Sequence, residues 1–180
     1  MTAGPARRGV LYWILCAAPP ALAWEEPLRQ LQEDGWDVYA VPTETTASWL
    51  DLDHLAQATG HQVRVRPRRP DEADELPTAD AVLLAPATFN TLNKWAAGIN
   101  DSLALGLLNE LLGLGVPIIA ATFCKAALAA HPVYRTNLVL LRQAGAVVLE
   151  REESITVAAG GFSWRPVLAA LGQVQPSGGS

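Results

Sequence analysis

The stretch GVLYWILCAAPPALAWEEPLRQLQEDGWDVYAVP, residues 9–42, decides the fold. Residues 9–17 are apolar and rich in β-branched and aromatic side chains, which is typical of a buried strand. Residues 25–35 are helix formers with a proline in the first turn and a glycine at the end, and residues 36–42 are strand-like again. The stretch therefore predicts one βαβ unit, the repeating element of a parallel sheet.

The same opening has the features of a secretory signal peptide. Arg7 and Arg8 precede a long apolar run, and the small-x-small triplet at 21–23 resembles a cleavage site. Cleavage after Ala23 would remove the first strand and leave a helix with no sheet to pack on. We therefore interpret the opening as a strand, a loop and the start of a helix.

Strand-like and helix-like segments alternate through the rest of the chain. The helices are predicted at 45–60, at 91–114 with a break near Gly98, at 131–145 and at 164–174, and the strands at 61–67, 80–86, 116–122 and 146–150. We expect 61–67 to be an edge strand because its apolar and polar residues alternate, and 80–86 to be a central strand because it is apolar throughout. The alternation predicts a doubly wound α/β fold with a Rossmann-like or flavodoxin-like parallel sheet, in which ligands bind beyond the carboxyl ends of the strands.

The composition limits the architecture and the kinds of partner. With 50% hydrophobic and 17% charged residues, the chain can bury the core of a single domain over residues 1–180, with loose termini at 1–8 and 175–180. A net charge of −5 and a pI near 5.1 provide no basic surface, so we expect no nucleic-acid partner. No uninterrupted apolar run approaches the roughly 18 residues of a membrane span, so we expect none.

The cysteine content indicates the compartment. Cys16 and Cys124 are too few for a disulfide framework and lack the spacing of metal ligands, so we expect no metal site. Isolated thiols suit a reduced environment, and the sequence predicts a cytoplasmic protein.

The loop after the second predicted strand carries several hydroxyl groups. Neither GxGxxG nor GxxxxGK[ST] follows the first strand, which excludes the usual dinucleotide and P-loop phosphate sites. In PTETTASWL, residues 42–50, the hydroxyls of Thr43, Thr45 and Thr46 meet the start of a predicted helix, where an anion is favourably held. The alternative is that these threonines only cap the helix.

The most specific motif, APATFNTLNKWAAGINDSLALGLL at 85–108, follows the predicted central strand. It resembles the hallmark of the homo-oligomeric flavin-containing cysteine decarboxylases, which is Pro-Ala-Ser-Ala-Asn-Thr followed by Lys, a helix of small residues, Gly, Asp and Leu. Thr88 stands in the place of the serine, and Phe89 in that of the second alanine. The matching residues are Pro86, Ala87, Asn90, Thr91, Lys94, Gly98, Asp101 and Leu103.

This resemblance implies an FMN at the edge of the sheet, in a site built where the subunits of a trimer, or of a multiple of three, meet. In the family, the flavin oxidises a cysteine thiol to a thioaldehyde, carbon dioxide leaves, and an enethiolate remains. Hydroxyls of the second-strand loop hold the phosphate, and the asparagine-threonine segment lies against the ribityl chain and the ring. The residues expected to bind FMN are Ala17, Ala18, Thr43, Thr45, Thr46, Pro86, Ala87, Thr88, Asn90 and Thr91.

The sequence departs from the family at two catalytic positions. Fourteen residues before Pro86, where the family has a histidine, stands Glu72, which is either a base or part of a solvated acidic loop. Alignment on Pro132 puts Cys124 at a family methionine and Lys125 at the asparagine that recognises substrate. Lys125 is either a point charge for a carboxylate or a surface residue. Glu72 and Lys125 are the candidate catalytic residues.

A further departure lies in VAAGGF at 157–162. Family members that reduce the enethiolate carry a cysteine in an Ala-Cys-Gly turn, where this chain has Ala159. We therefore expect the enethiol itself to be the product, as in the branch that acts on the C-terminal cysteine of a peptide. Ala159, Gly160, Gly161 and Phe162 form a candidate clamp over the substrate, and a plain glycine turn is the alternative.

The function that the resemblance implies is FMN-dependent oxidative decarboxylation of a peptide's C-terminal cysteine to an enethiol, in the maturation of a ribosomal peptide natural product. One alternative is an FMN-binding regulatory or partner subunit with little activity. Another is a decarboxylase of small thiols, of the phosphopantothenoylcysteine type.

Overall fold

The computed structural model describes residues 7–69, 71–72, 76–150 and 161–175. The strands of this part of the chain are β1 (Gly9–Leu15), β2 (Trp36–Pro42), β3 (Ala81–Ala87), β4 (Ile118–Thr122) and β5 (Val147–Leu149). They form one sheet in the order β2-β1-β3-β4-β5, with every neighbouring pair parallel. This is the flavodoxin-like order, so the predicted doubly wound α/β fold is confirmed.

The opening stretch forms an interior strand, as expected. β1 pairs with β2 on one side and with β3 on the other, and Leu11 lies opposite both Val38 and Ala81. β3 is buried along its whole length. Its uninterrupted apolar sequence follows from this position, because helices cover both faces of a parallel sheet.

Helices occupy both faces of the sheet and the connections at its carboxyl edge. Cores on the two faces include α1 (Glu25–Glu33), α3 (Leu52–Thr59) and α8 (Trp164–Gly172) on one side, and α4 (Phe89–Ala96), α5 (Leu103–Gly113) and α7 (Pro132–Gln143) on the other. A 3-10 helix at Pro19–Ala23 and the single-turn helices α2 (Glu44–Ala47) and α6 (Ala126–Ala129) follow the ends of β1, β2 and β4.

The alternation of side chains along β1 divides the core into two halves. Trp13 packs with Leu31 of α1 on the first face. Ile14 packs with Leu92 of α4 and Leu138 of α7 on the second. Successive residues of a strand point to opposite faces, so each half of the core draws on alternate positions of the same strand.

The predicted edge strand at 61–67 is wrong. The ring of His61 stacks on that of Tyr39 with centroids 3.8 Å apart, and Val63 packs against the core, but the segment has no strand structure. The side chains of 61–67 are half-buried or exposed and do not alternate in burial, so the alternation of apolar and polar residues in the sequence does not correspond to a strand.

The helix predicted at 45–60 is divided into α2 and α3. Asp51 starts the second helix, because its carboxylate accepts the N–H of His54 at 3.0 Å. Such a cap marks a new helix start that the hydrophobic pattern alone does not reveal. The break expected near Gly98 is present between α4 and α5, and Gly98 has a φ of +68°.

Candidate functional site

A cleft of about 470 Å³ lies where the carboxyl ends of β1, β2 and β3 meet. The chain runs from β1 to β2 on one side and returns to β3 on the other, so this edge is the switch point at which such sheets bind ligands. The cleft is lined by Ala17, Thr43, Glu44, Thr45, Thr88, Asn90, Thr91, Lys94, Asp101, Ser102, Ala104 and Leu105.

The three threonines after β2 have different positions. Thr43 caps α2 by accepting the N–H of Thr46 at 3.4 Å, and it lines the cleft together with the exposed Thr45. Thr46 is fully buried, and its hydroxyl donates to the carbonyl of Leu15 at 2.9 Å. The hydroxyl of Thr46 therefore holds α2 against the end of β1 and does not line the cleft. Because α2 is a single turn, its dipole is also smaller than that of the longer helix predicted from the sequence.

The start of α4 carries a hydroxyl network. Thr88 caps the helix by accepting the N–H of Thr91 at 3.5 Å, and its hydroxyl donates to Thr91 Oγ1 at 3.2 Å. The thiol of Cys16, at the end of β1, also donates to Thr91 Oγ1, at 3.3 Å. Burial raises the pKa of Cys16 above its ordinary value, so at neutral pH the thiol remains a protonated donor.

Asn90 stands beside this network with its side chain exposed in the cleft. Pro86 and Ala87 are buried in β3 behind the cleft, where the carbonyl of Pro86 accepts the N–H of Cys16 at 3.1 Å. Ala18 is also buried and does not line the cleft. Of the residues expected to bind FMN, Ala17, Thr43, Thr45, Thr88, Asn90 and Thr91 are brought together on the cleft surface.

The far rim of the cleft is formed by the connection between α4 and α5. Lys94 Nζ donates to Asp101 Oδ2 at 2.6 Å, and Ser102 caps α5 by accepting the N–H of Leu105 at 3.3 Å. Sequence reasoning matched Lys94 and Asp101 to a motif without assigning them to the site. Glu44 and Ser102 also line the cleft and were not predicted, because nothing in the sequence marks them except their closeness to the motifs.

The candidate catalytic residues lie outside the lining of the cleft. Glu72 is exposed, its carboxylate accepts the N–H of Arg69 at 3.0 Å, and it borders a separate groove of about 660 Å³. Lys125 is exposed at the start of α6, after the end of β4. The fold of one chain does not bring these two side chains to the cleft.

Aromatic and polar groups fill the space near the end of β4. Tyr134 is buried beside Phe89, with ring centroids 5.4 Å apart. Burial is the main cause that raises the pKa of Tyr134, and the neighbouring Cys124 adds to it. The phenol is therefore neutral over the physiological range.

The described part of the candidate clamp begins at Gly161, and Ala159 and Gly160 lie outside the described residues. The ring of Phe162 lies 6.1 Å from Phe123, which follows β4, and 4.9 Å from Trp164. Phe162 is thereby placed next to the carboxyl edge of the sheet.

The described ranges contain no group of three or more His, Cys, Asp or Glu side chains placed to hold a metal ion. The two cysteines are not joined by a disulfide. In the same ranges, no helix has the length and apolar character needed to cross a membrane.

Comparison with known proteins identifies relatives of this arrangement. A family model described as Flavoprotein matches residues 9–170. The coenzyme A biosynthesis bifunctional protein CoaBC of Thermococcus kodakarensis is 29% identical over 145 residues, which cover 76% of this chain and 36% of that protein. The CoaBC protein of Mycolicibacterium smegmatis is 32% identical over 129 residues, covering 68% of this chain and 30% of that protein. The chain thus spans about a third of the length of these curated relatives.

Solved structures share the fold over most of the chain. The FMN-dependent cysteine decarboxylase SpaF superimposes with a TM-score of 0.73 at 23% identity, covering 93% of this chain and 96% of that one. The FMN-dependent cysteine decarboxylase TvaF from thioviridamide biosynthesis has a TM-score of 0.67 at 25% identity, covering 78% of this chain and 89% of that one.

Proposed function

The chain belongs to the flavoprotein family, and from this membership we propose that it is an FMN-dependent enzyme that oxidatively decarboxylates the C-terminal cysteine of a peptide to an enethiol. The resemblance to the homo-oligomeric flavin-containing cysteine decarboxylases, first carried by the block at 85–108, is confirmed at the level of the family. The observation that carries the proposal is the hydroxyl- and amide-lined cleft at the switch point of the sheet.

The cleft fits FMN in size and in its donor set. Its volume of about 470 Å³ lies within the range of small-molecule sites. On the α2 side, the exposed Thr45 presents a hydroxyl suited to phosphate oxygens. Thr43 lies beside it, and its hydroxyl donates to Thr46 Oγ1 at 2.8 Å, because Thr46 donates to the carbonyl of Leu15. On the α4 side, the amide of Asn90 offers both donors and an acceptor, as the polar edge of a flavin ring requires, and the hydroxyl oxygen of Thr88 adds an acceptor.

The chain's own residues bind and orient the cofactor. FMN, when bound, supplies the two-electron oxidation of a thiol, which protein side chains alone do not provide. Thr45, with Thr43 beside it, would hold the phosphate, and Asn90 would hold the ring. The hydrogen bond from Cys16 to Thr91 fixes the start of α4, which carries Asn90. Cys16 is a structural donor and not a nucleophile, because its raised pKa keeps it protonated.

Glu72 and Lys125 act on the substrate in this proposal, as base and as carboxylate partner. Neither lines the cleft of its own chain, so we place them at the cleft of a neighbouring copy in a trimer or a multiple of three. The exposure of both side chains supports this arrangement, since an exposed charge on one subunit is free to complete the site of another.

The structural similarity to SpaF and TvaF supports cysteine as the group that is decarboxylated. The peptide branch is supported by Ala159, which stands where a reducing cysteine would be needed for a saturated product. The natural setting would be maturation of a ribosomal peptide. The gene neighbourhood would then encode a short precursor peptide that ends in cysteine.

A second candidate is decarboxylation of phosphopantothenoylcysteine, which the similarity to CoaBC favours. A third is an FMN-binding partner subunit with little activity, which the placement of Glu72 and Lys125 outside the cleft favours. The three candidates differ in their products.

Mass spectrometry of the products separates the candidates. Incubation with a cysteine-ending peptide is expected to give a product about 46 Da lighter, through loss of carbon dioxide and two hydrogens, with one flavin bleached per turnover in the absence of oxygen. A loss of about 44 Da from phosphopantothenoylcysteine would support the second candidate. No product from either substrate with a flavin-loaded protein would support the third.

A further inference from the structure

A salt bridge links the cleft to the arginine-containing segment that follows α3. Arg66 Nε lies 3.2 Å from Glu44 Oε1. Glu44 lines the cleft between Thr43 and Thr45, whereas Arg66 belongs to the segment that was expected to form an edge strand. Both side chains are solvent-exposed, at 78% for Arg66 and 62% for Glu44. The pair therefore joins the cleft, which Glu44 lines, to the separate groove of about 660 Å³, which Arg66 lines.

The charges of the lining are unfavourable for a phosphate. The charged residues that line the cleft in the described part of the chain are Glu44, Lys94 and Asp101, whose formal charges sum to one negative. Lys94 is already engaged by Asp101 at 2.6 Å. The carboxylate of Glu44 therefore stands without compensation from the lining, next to the hydroxyls that hold the phosphate in the proposed function.

We propose that Arg66 makes the cleft selective for phosphorylated flavin over riboflavin, an inference that rests on the proposed function. The guanidinium neutralises Glu44, so the formal charges of the cleft lining and Arg66 together sum to zero. Its five N–H donors also exceed what one carboxylate needs, so the same group can serve a phosphate oxygen and Glu44 together. Riboflavin lacks the phosphate, so its binding does not depend on Arg66.

Equilibrium titrations of the flavin-free protein with FMN and with riboflavin, followed by flavin fluorescence, test this selectivity. Arg66→Gln is expected to weaken FMN binding by about tenfold, the effect of removing a unit charge several ångströms from a dianion in water. Riboflavin binding is expected to change less than about twofold. Arg66→Lys keeps the charge, and its FMN affinity is expected to stay within about threefold of the wild type.

Two further variants separate charge from structure. Arg69→Gln removes another arginine that lines the same separate groove as Arg66, and it is the matched control expected to leave both affinities unchanged. Glu44→Gln is expected to tighten FMN binding, and Glu44→Gln combined with Arg66→Gln to return it near the wild-type value.

The outcomes are distinct. Equal weakening of FMN and riboflavin by Arg66→Gln, in a protein with an unchanged circular dichroism spectrum, would mean that Arg66 is structural and would overturn the inference. No change in either affinity would overturn it as well, while leaving the proposed function intact. A wild-type protein that binds neither flavin would overturn the proposed function and this inference with it.

Discussion

Lys94 Nζ lies 2.6 Å from Asp101 Oδ2, and this ion pair closes the connection between α4 and α5 at the rim of the cleft. Lys94 follows Asn90 by one helical turn, so both side chains share a face of α4. The connection is also tied down by Asn109, whose side-chain amide donates to the carbonyl of Ile99 at 2.9 Å. The charged pair and this hydrogen bond therefore both help to fix the position of the rim relative to Asn90.

Breaking the Lys94–Asp101 pair is expected to affect flavin binding more than stability. The pair is partly exposed, and such pairs contribute about 0.2–1 kcal/mol to the free energy of unfolding. Lys94→Met and Asp101→Asn should each weaken FMN binding severalfold, because the rim is no longer fixed beside Asn90. The double variant should bind FMN no more weakly than the weaker-binding of the two single variants. Fluorescence titration measures the FMN affinity, and chemical denaturation measures the free energy of unfolding.

The matched control is Glu33→Gln, which removes an exposed partner of Arg29 on α1. It should change neither quantity. Strictly additive losses of affinity in the Lys94 and Asp101 variants would show that the two side chains act independently, against the prediction.

Thr45 and Thr46 are neighbours with opposite expected effects. Thr45→Val removes an exposed hydroxyl from the cleft, and FMN affinity should fall by about tenfold with little change in stability. Thr46→Val removes the buried hydroxyl that donates to Leu15, and the free energy of unfolding should fall by about 1–2 kcal/mol. Flavin titration and urea unfolding of both variants check the pair, and a large loss of stability in Thr45→Val would contradict the assignment.

Apolar runs were sufficient to predict the order of strands and helices, because a buried strand such as Ala81–Ala87 needs an uninterrupted apolar sequence. The prediction for 61–67 was wrong because a short alternation of apolar and polar residues also occurs in a segment at the surface that forms no strand. The start of a second helix at Asp51 was not predicted, because the helical pattern of the sequence continues across this position. The capping hydrogen bond of a single side chain, that of Asp51, marks the new start.

Site residues that lie far apart in the sequence could not be predicted to be neighbours. Asn90 was found because its motif is local to one strand end and one helix. The contact of Glu44 with Arg66 joins two segments on either side of α3, and no local pattern reports it. Glu72 and Lys125 were identified by their separation in sequence from motif residues. That separation does not determine where a surface loop lies in the fold.

The buried thiol of Cys16 is expected to limit stability at alkaline pH. Burial raises its folded pKa above the ordinary value of 9.0, so the folded state holds this proton more tightly than the unfolded state does. The resulting stabilisation is complete below about pH 9 and is lost as the pH rises through the folded pKa. Urea midpoints measured from neutral pH upward should fall above about pH 9, and Cys16→Ser should reduce that fall.

Tyr134 allows a comparison within the same protein. Its pKa is also raised, from an ordinary value of 10.0, so its ionisation also lowers the stability of the folded state at alkaline pH. A Cys16→Ser protein should therefore keep a later decline above about pH 10. An unchanged alkaline profile in this variant would show that Cys16 does not carry the effect.

Self-association is expected from the apolar side chains that the single chain exposes. Val133 and Leu140 are both about half exposed and lie two turns apart on α7, where water contact is unfavourable. Light scattering should give three times the chain mass of 19.2 kDa, or a multiple of that value. A stable monomer that is loaded with flavin would contradict the site shared between copies.

Lys125 is expected to recognise the carboxylate of the peptide's terminal cysteine. The residue is exposed at the start of α6 and carries a compact ammonium charge. Lys125→Ala should weaken binding of a cysteine-ending peptide by about tenfold, equivalent to about 1.4 kcal/mol, and leave FMN binding unchanged. Titration calorimetry on the flavin-loaded protein measures both the wild type and the variant.

The same peptide with a C-terminal amide isolates the charge interaction, because it keeps the thiol and loses only the carboxylate. The wild type should bind the amide about as weakly as Lys125→Ala binds the acid, and the variant should no longer distinguish acid from amide. Comparing the two proteins with the two peptides separates a direct contact of Lys125 from a general distortion of the surface, because a distorted surface would bind both peptides more weakly by the same factor. If Lys125→Ala kept the full preference for the acid, another group would have to bind the carboxylate, and Lys125 would be a surface residue of α6.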